Sequence, residues 1–219
     1  MLARDWFYNQ RRKVGIDRAV ASLYERHGDS DLRARDALAM LGVRKGWRIA
    51  DIGCGNGALA CEAALMGAEV DAIDISPAML ALAEISARDR KVAIRTQSAG
   101  LLSFAYQPSS YDLIVSEFTL HHLPDFWKAV AMSRIFAALK PGGFLVIADH
   151  SAKPGAGTTV SKTLHRIDEA TLRQEIEAAG FKLVDEGDFL HHPEDPRDVP
   201  VFHPAVPVDE FVLKFQKPA

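Results

Sequence analysis

Arg48-Ile-Ala-Asp51-Ile-Gly53-Cys54-Gly55-Asn-Gly57-Ala58 joins a short apolar run to a helical pattern through three alternate glycines. The run around Ile49 reads as a buried strand, and the helix opens at Ala58. Glycines in such a turn let the backbone pass close to a ligand, and the helix start behind them offers N–H groups without intrahelical partners. Beyond the turn, Glu69-Val-Asp-Ala-Ile-Asp74 is a second strand, which Asp74 closes seventeen residues after Gly57. A carboxylate there can accept both ribose hydroxyls of a nucleoside cofactor. The glycines leave two cofactor classes open, because Gly53-x-Gly55-x-x-Ala58 also satisfies the dinucleotide fingerprint.

The pattern continues in both directions. Upstream, residues 17–41 read as a helix with Leu32, Leu38 and Leu41 on one face and Gly42 as its stop. Downstream, a helix over 58–66 stops at Gly67, and Ser76-Pro77 supplies an N-cap with proline at the first helical position. Strands are expected at 91–96, 111–116, 144–149, 181–189 and 210–215. Helices are expected at 124–139, ended by Pro141-Gly142-Gly143, and at 168–179, closed by Gly180. Alternating strands and helices imply a doubly wound, seven-stranded α/β sheet. It is mostly parallel, with an antiparallel last strand and helices on both faces. Residues 1–45 are expected to form a helical cap or lid segment in front of a domain spanning 46–219.

The chain has 219 residues, of which 48% are hydrophobic and 25% charged, a globular composition that excludes intrinsic disorder. No apolar run approaches the roughly 20 residues of a membrane span, and the first ten residues lack a secretory pattern, so a cytoplasmic protein is expected. Cys54 and Cys61 are read as two buried thiols rather than a disulfide or a metal pair. Residues 1–48 carry a net charge of +5 and residues 185–210 a net of −7. The basic segment has no like-charge run beyond Arg11-Arg12-Lys13, which argues against nucleic-acid binding.

Five ordered strings narrow the cofactor: 48–57, Asp74-Ile-Ser-Pro-Ala-Met79-Leu, Tyr111-Asp-Leu-Ile-Val-Ser116, Leu120-His-His-Leu-Pro-Asp125 and Leu139-Lys-Pro-Gly-Gly143. Together they resemble the motifs of class I S-adenosylmethionine (SAM)-dependent methyltransferases. The resemblance implies SAM as cofactor and methyl transfer to a small molecule as activity. Gly53, Cys54, Gly55 and Gly57 would form the loop under the methionine portion, with Asp51 orienting it. Asp74 would bind the ribose, and Ile75 and Met79 would pack on the adenine. Ser98 and Ala99 stand where the family commonly has an Asp before a small residue to bind the adenine amino group. Ser116, Glu117 and Phe118 would lie beside the methionine. A SAM-binding regulatory or assembly protein, or a nicotinamide-dependent oxidoreductase, are the other readings.

The ends resemble two different groups of uncharacterised bacterial methyltransferases, on Trp6-Phe-Tyr-Asn-Gln-Arg-Arg12 with His121–Lys128, and on Asp149–Gly155, Leu164–Asp168 and Phe211–Pro218. A hydroxyl or acidic carbon acceptor needs a base, and the candidates after the strand ends are His121, His150 and His165, with His122 beside the first. Residues 150–167 form a long connection expected to close over the methyl group. His191, His192, Glu194, Asp195 and His203 carry metal-type side chains without ligand spacing, so they read as an acidic surface loop and no metal is expected. The expected partner is a small molecule, without membrane or nucleic acid; a homodimer is compatible with the sequence.

Overall fold

The computed structural model describes Leu38, residues 41–202 and residues 204–219. The rest of the expected N-terminal helix, the aromatics at 6–8, residues 1–37 and 39–40 of the expected 1–45 cap, and His203 lie outside the described residues. The strands are β1 (Arg48–Ile52), β2 (Glu69–Asp74), β3 (Arg95–Ser98), β4 (Tyr111–Glu117), β5 (Leu139–His150), β6 (Lys182–Gly187) and β7 (Glu210–Gln216). The helices are α1 (Ala58–Leu65), α2 (Pro77–Asp89), α3 (Asp125–Ala138), the short α4 (Ser161–Leu164) and α5 (Glu169–Ala178). The strand order is β3-β2-β1 in the part before Ala105 and β4-β5-β7-β6 in the part after it. The chain divides into two compact units, one ending at Ala105 and the other starting at Tyr106.

In the first unit, β1 pairs parallel with β2 and β2 parallel with β3. Ile49, Ile52, Val70 and Ile73 are buried, as expected for strands covered on both faces. α2 begins as its sequence demands: Ser76 accepts a hydrogen bond from Met79 N–H at 3.4 Å, and Pro77 takes the first helical position. Gly57 (φ +78°) starts α1 in the left-handed region, and a Cβ there would stand 2.8 Å from Ala83 Cβ on α2. Its glycine is therefore required twice, by conformation and by the close approach of two helices.

In the second unit, β4 pairs parallel with β5, while β7 runs antiparallel to both β5 and β6. Ile114, Val115, Leu145, Ile147, Phe211 and Phe215 fill its core. Asp168 caps α5 by accepting from Ala170 N–H at 3.2 Å, and its other oxygen accepts from Gly155 N–H at 3.0 Å. Lys217 donates to the carbonyls of Phe136 and Leu139 at 2.8 Å each, satisfying groups that the end of α3 leaves open.

Four expectations are corrected. β3 runs Arg95–Ser98 rather than 91–96, because its place is set by pairing with Asp71–Asp74 and not by the apolar Val92 and Ile94. α3 is not ended by Pro141-Gly142-Gly143: Leu139 already has extended backbone (ψ 141°), and those residues lie inside β5. They occupy a register irregularity opposite Tyr111–Leu113, where a Cβ on Gly143 would sit 2.9–3.2 Å from three backbone carbonyls. β6 is shorter than 181–189. The acidic stretch 185–210 is not simply a solvated loop, since Asp195 and Asp209 are buried.

Asp195 is buried because Arg166 needs it. The Arg166 guanidinium is fully buried and meets both carboxylate oxygens, at 2.7 and 3.2 Å, while also donating to the carbonyls of Ser151 and Val199. Burial pushes the Asp195 carboxyl up, but the N–H groups of Asp209 and Arg197 and the Arg166 guanidinium hold it below the usual carboxylate range. Replacing one member leaves an uncompensated buried charge. Arg166→Met should therefore lower stability by about 3–5 kcal/mol in urea unfolding. Lys153→Ala, which breaks the exposed pair with Asp198, should cost less than about 1 kcal/mol. Because the folded pKa of Asp195 is lowered, its stabilisation is complete above the ordinary value of about 3.9 and is lost as pH falls through its lower folded value. Asp195→Asn should flatten the acid limb of the stability–pH curve.

Candidate active site

The glycine turn of the first unit is held by β2. The N–H groups of Gly53 and Cys54 donate to Ile73 O at 2.7 and 3.0 Å. Gly53, Gly55 and Gly57 all have positive φ (87°, 54° and 78°), so the turn is a left-handed path that side chains would strain. Asp74 ties this turn to α2: one oxygen accepts from Gly55 N–H at 3.0 Å and the other from Ser76 N–H at 2.8 Å. A carboxylate can accept about four hydrogen bonds, so organising the loop is compatible with the ribose role. Asp51 is buried at the end of β1. Ile75 is 43% exposed while Met79 is buried. A Cβ on Gly100 would sit 2.8 Å from Ile75 Cγ2, so Ile75 lies over Gly100. Ala99 is buried and donates to Asp74 O, whereas Ser98 is exposed. Burial raises the Cys54 thiol pKa, with Asp51 and Asp74 adding to it, so Cys54 is an inert part of this loop.

The second unit gathers four histidines around the ends of β4 and β5. Asp149, fully buried, is the penultimate residue of β5. One oxygen lies 2.6 Å from His121 Nδ1 and accepts from His150 N–H at 2.9 Å; the other accepts from His121 N–H at 3.2 Å. Burial pushes this carboxyl up, but His121 and then His150 outweigh it and hold it below the usual range. An ionised carboxylate only accepts hydrogen bonds, so His121 donates its Nδ1–H to Asp149 and turns Nε2 away from it.

The other rings pack on this pair. His122 lies 3.9 Å from His121 between centroids, and His165 lies 5.6 Å from His121 and 5.5 Å from His122. His150 stacks on Phe118 at 4.4 Å with planes 13° apart, and its Nδ1 is 3.1 Å from Glu210. Phe118 and His165 both have left-handed backbone (φ 54° and 56°), a strain characteristic of functional positions. Ser116, fully buried, has its hydroxyl 2.5 Å from that of Thr119. Glu117 ends β4.

His121, His150 and His165 therefore come together, as do Ser116, Glu117 and Phe118 on β4 and the turn after it. Neither His121 nor His122 caps α3, whose N-cap is Pro124. Residues 150–167 are less irregular than expected, because they contain α4 and a bridge from Ser151 to Ile167. His191 and His192 lie outside the histidine group; they contact Asp209 and Glu194. Sequence reading missed Asp149 as the organising group. Its only signal was an acid followed by histidine at the end of an apolar run.

A methyltransferase domain family model matches residues 49–143, from β1 into β5. The chain is 32% identical over 166 residues, 68% of this chain and 68% of the relative, to a ubiquinone biosynthesis O-methyltransferase of Xanthomonas euvesicatoria pv. vesicatoria. It is 37% identical over 114 residues to a protein of the same description from Xanthomonas campestris pv. campestris, covering 51% of this chain and 46% of that one. In that match the chain spans about half the length of its curated relative. Among solved structures, the Burkholderia thailandensis 1,6-didemethyltoxoflavin-N1-methyltransferase with bound S-adenosylhomocysteine (SAH) superposes with a TM-score of 0.71 at 18% identity, covering 100% of this chain and 92% of that one. The cyclase SpnF gives 0.70 at 20% identity over 86% and 81%. At those identities the solved structures attest the fold alone. The chain belongs to the class I SAM-dependent methyltransferases, whose cofactor is SAM.

The Asp74 hydrogen bonds make a direct test of the cradle. Asp74→Ala should weaken SAH binding about 10- to 150-fold by calorimetry, the loss expected when hydrogen bonds to a charged acceptor disappear. Unchanged affinity would place the ribose elsewhere.

Proposed function

We propose that this protein transfers the methyl group of SAM to a hydroxyl oxygen of a small molecule. The match that carries this reading is the relative described as an O-methyltransferase, aligned over two thirds of both chains. In the first unit, Asp51, Gly53, Cys54, Gly55, Gly57, Asp74, Ile75, Met79, Ser98 and Ala99 would hold the cofactor. In the second, Ser116, Glu117 and Phe118 would serve its methionine end, and His121, His150 and His165 would meet the acceptor. SAM supplies an electrophilic methyl group on a sulfonium. The chain's own residues have to orient the acceptor, exclude water and hold the proton that a hydroxyl gives up. Among the described residues no helix is long and apolar enough to cross a membrane, and a cytoplasmic setting is part of this proposal.

A second reading, a SAM-binding protein without transferase activity, is favoured by one observation. A structure described as a cyclase shares the fold at a TM-score of 0.70, so the fold does not dictate methyl transfer. Incubation of the full chain with methyl-labelled SAM and a metabolite extract separates the two. The proposal expects label in extractable small molecules. Label confined to protein or RNA would contradict the small-molecule acceptor. No label, with SAH binding intact, would establish the non-transferase reading.

A further inference from the structure

Three imidazoles converge in the second unit. His121, His122 and His165 each offer one ring nitrogen, and these nitrogens all lie within 4.8 Å of one another. His121 and His122 sit side by side in the short 3-10 turn Leu120–His122, between β4 and α3. His165 arrives from the far end of the connection between β5 and α5.

The surroundings hold these rings in place. Asp149, fully buried, fixes His121 through both its backbone N–H and Nδ1, which leaves Nε2 as the coordinating atom. A carboxylate behind a histidine in this manner is the usual support of a metal-bound imidazole. His165 is held as firmly from the other side. Its neighbour Arg166 is fully buried and bonded to Ser151 O, Val199 O and Asp195. Ile167 N–H donates to His150 O at 3.0 Å, and Ala152 N–H to Ile167 O at 2.9 Å. His165 itself is kept in left-handed backbone, a conformation costly for a residue with a Cβ. Both anchors lead back to the end of β5. His121 is buried while His122 and His165 are half-buried, so two of the three residues reach solvent in part.

We propose that His121, His122 and His165 form a three-imidazole site for one divalent transition-metal ion, zinc first, with a fourth position open to an oxygen of the acceptor. Neutral imidazoles suit zinc, copper, nickel and cobalt, whereas magnesium and calcium prefer oxygen donors. Three protein ligands plus an open position is the arrangement of catalytic rather than structural zinc. The part concerning the acceptor rests on the methyl-transfer reading; the ion site itself does not. With a hydroxyl acceptor in the fourth position, its O–H proton would pass to the base that the methyl-transfer reading requires, for which His150 is the remaining candidate. The metal-bound oxygen forms the new O–CH₃ bond as the C–S⁺ bond breaks, its electron pair remaining on sulfur in neutral SAH.

The test uses the full chain freed of metal with a chelator, then titrated with cobalt(II) and followed by visible absorption. The expected result is one cobalt per chain with the intense bands of a four-coordinate site, abolished by equimolar zinc and untouched by excess magnesium. His122→Gln, at a half-buried position that leaves the Asp149 pair in place, should weaken cobalt binding at least 10-fold while circular dichroism and SAH affinity stay unchanged. Asp149→Asn should weaken it about 10- to 100-fold. Absence of binding up to millimolar cobalt, or binding indifferent to His122→Gln and to His165→Gln, would overturn the proposal. Intact SAH binding in either case separates failure of the ion site from failure of the methyltransferase reading.

Discussion

The Asp149 carboxylate is the contact on which the second unit depends. A fully buried acid at the end of a strand is costly unless it is hydrogen-bonded, and here three donors converge on it. Two of them belong to His121 and one to His150, so a single group sets the turn after β4, the end of β5 and the tautomer of one imidazole. The arrangement is possible because β4 and β5 are parallel and paired up to the last residue of β4, with Glu117 opposite Ala148. The remaining contacts build on this one: Phe118 on His150, His122 on His121, and His165 against both.

A carboxylate plays the corresponding part in the first unit. Asp74 joins the glycine turn to the start of α2, and the turn can reach it because its three glycines accept left-handed backbone. In both units a buried or half-buried acid at a strand's carboxyl end converts a loop into a fixed shape. Loops carry the chemistry of α/β proteins, yet they hold it in register only when tied down in this way.

The two units differ in how far they were legible. From β1 onward the first was readable almost throughout, because its signals are local: the glycines, Ser76-Pro77, and apolar strands with an acid at the end. β3 was the exception, since Arg-Thr-Gln-Ser has no apolar pattern and only its pairing with β2 defines it. In the second unit the histidines were legible as candidates, and the strands and helices lay close to where periodicity put them. The partners were not. Asp149 meets His121 across 28 residues and Arg166 meets Asp195 across 29, and neither separation follows any helical or strand period. Acidic composition around Asp195 pointed toward solvent, but burial was decided by an arginine on another segment. Pro141-Gly142-Gly143 misled for the opposite reason: a strong local stop signal was absorbed as an irregularity inside a long strand.

The claim that Asp149 fixes the His121 imidazole is open to one direct measurement. Long-range proton–nitrogen correlation spectra of the full chain at neutral pH report which nitrogen of each histidine is protonated. The account predicts that His121 carries a proton on Nδ1, with a strongly downfield proton resonance, and that Asp149→Asn abolishes this signature. A His121 protonated on Nε2 alone, or a spectrum unchanged in the Asn variant, would contradict it.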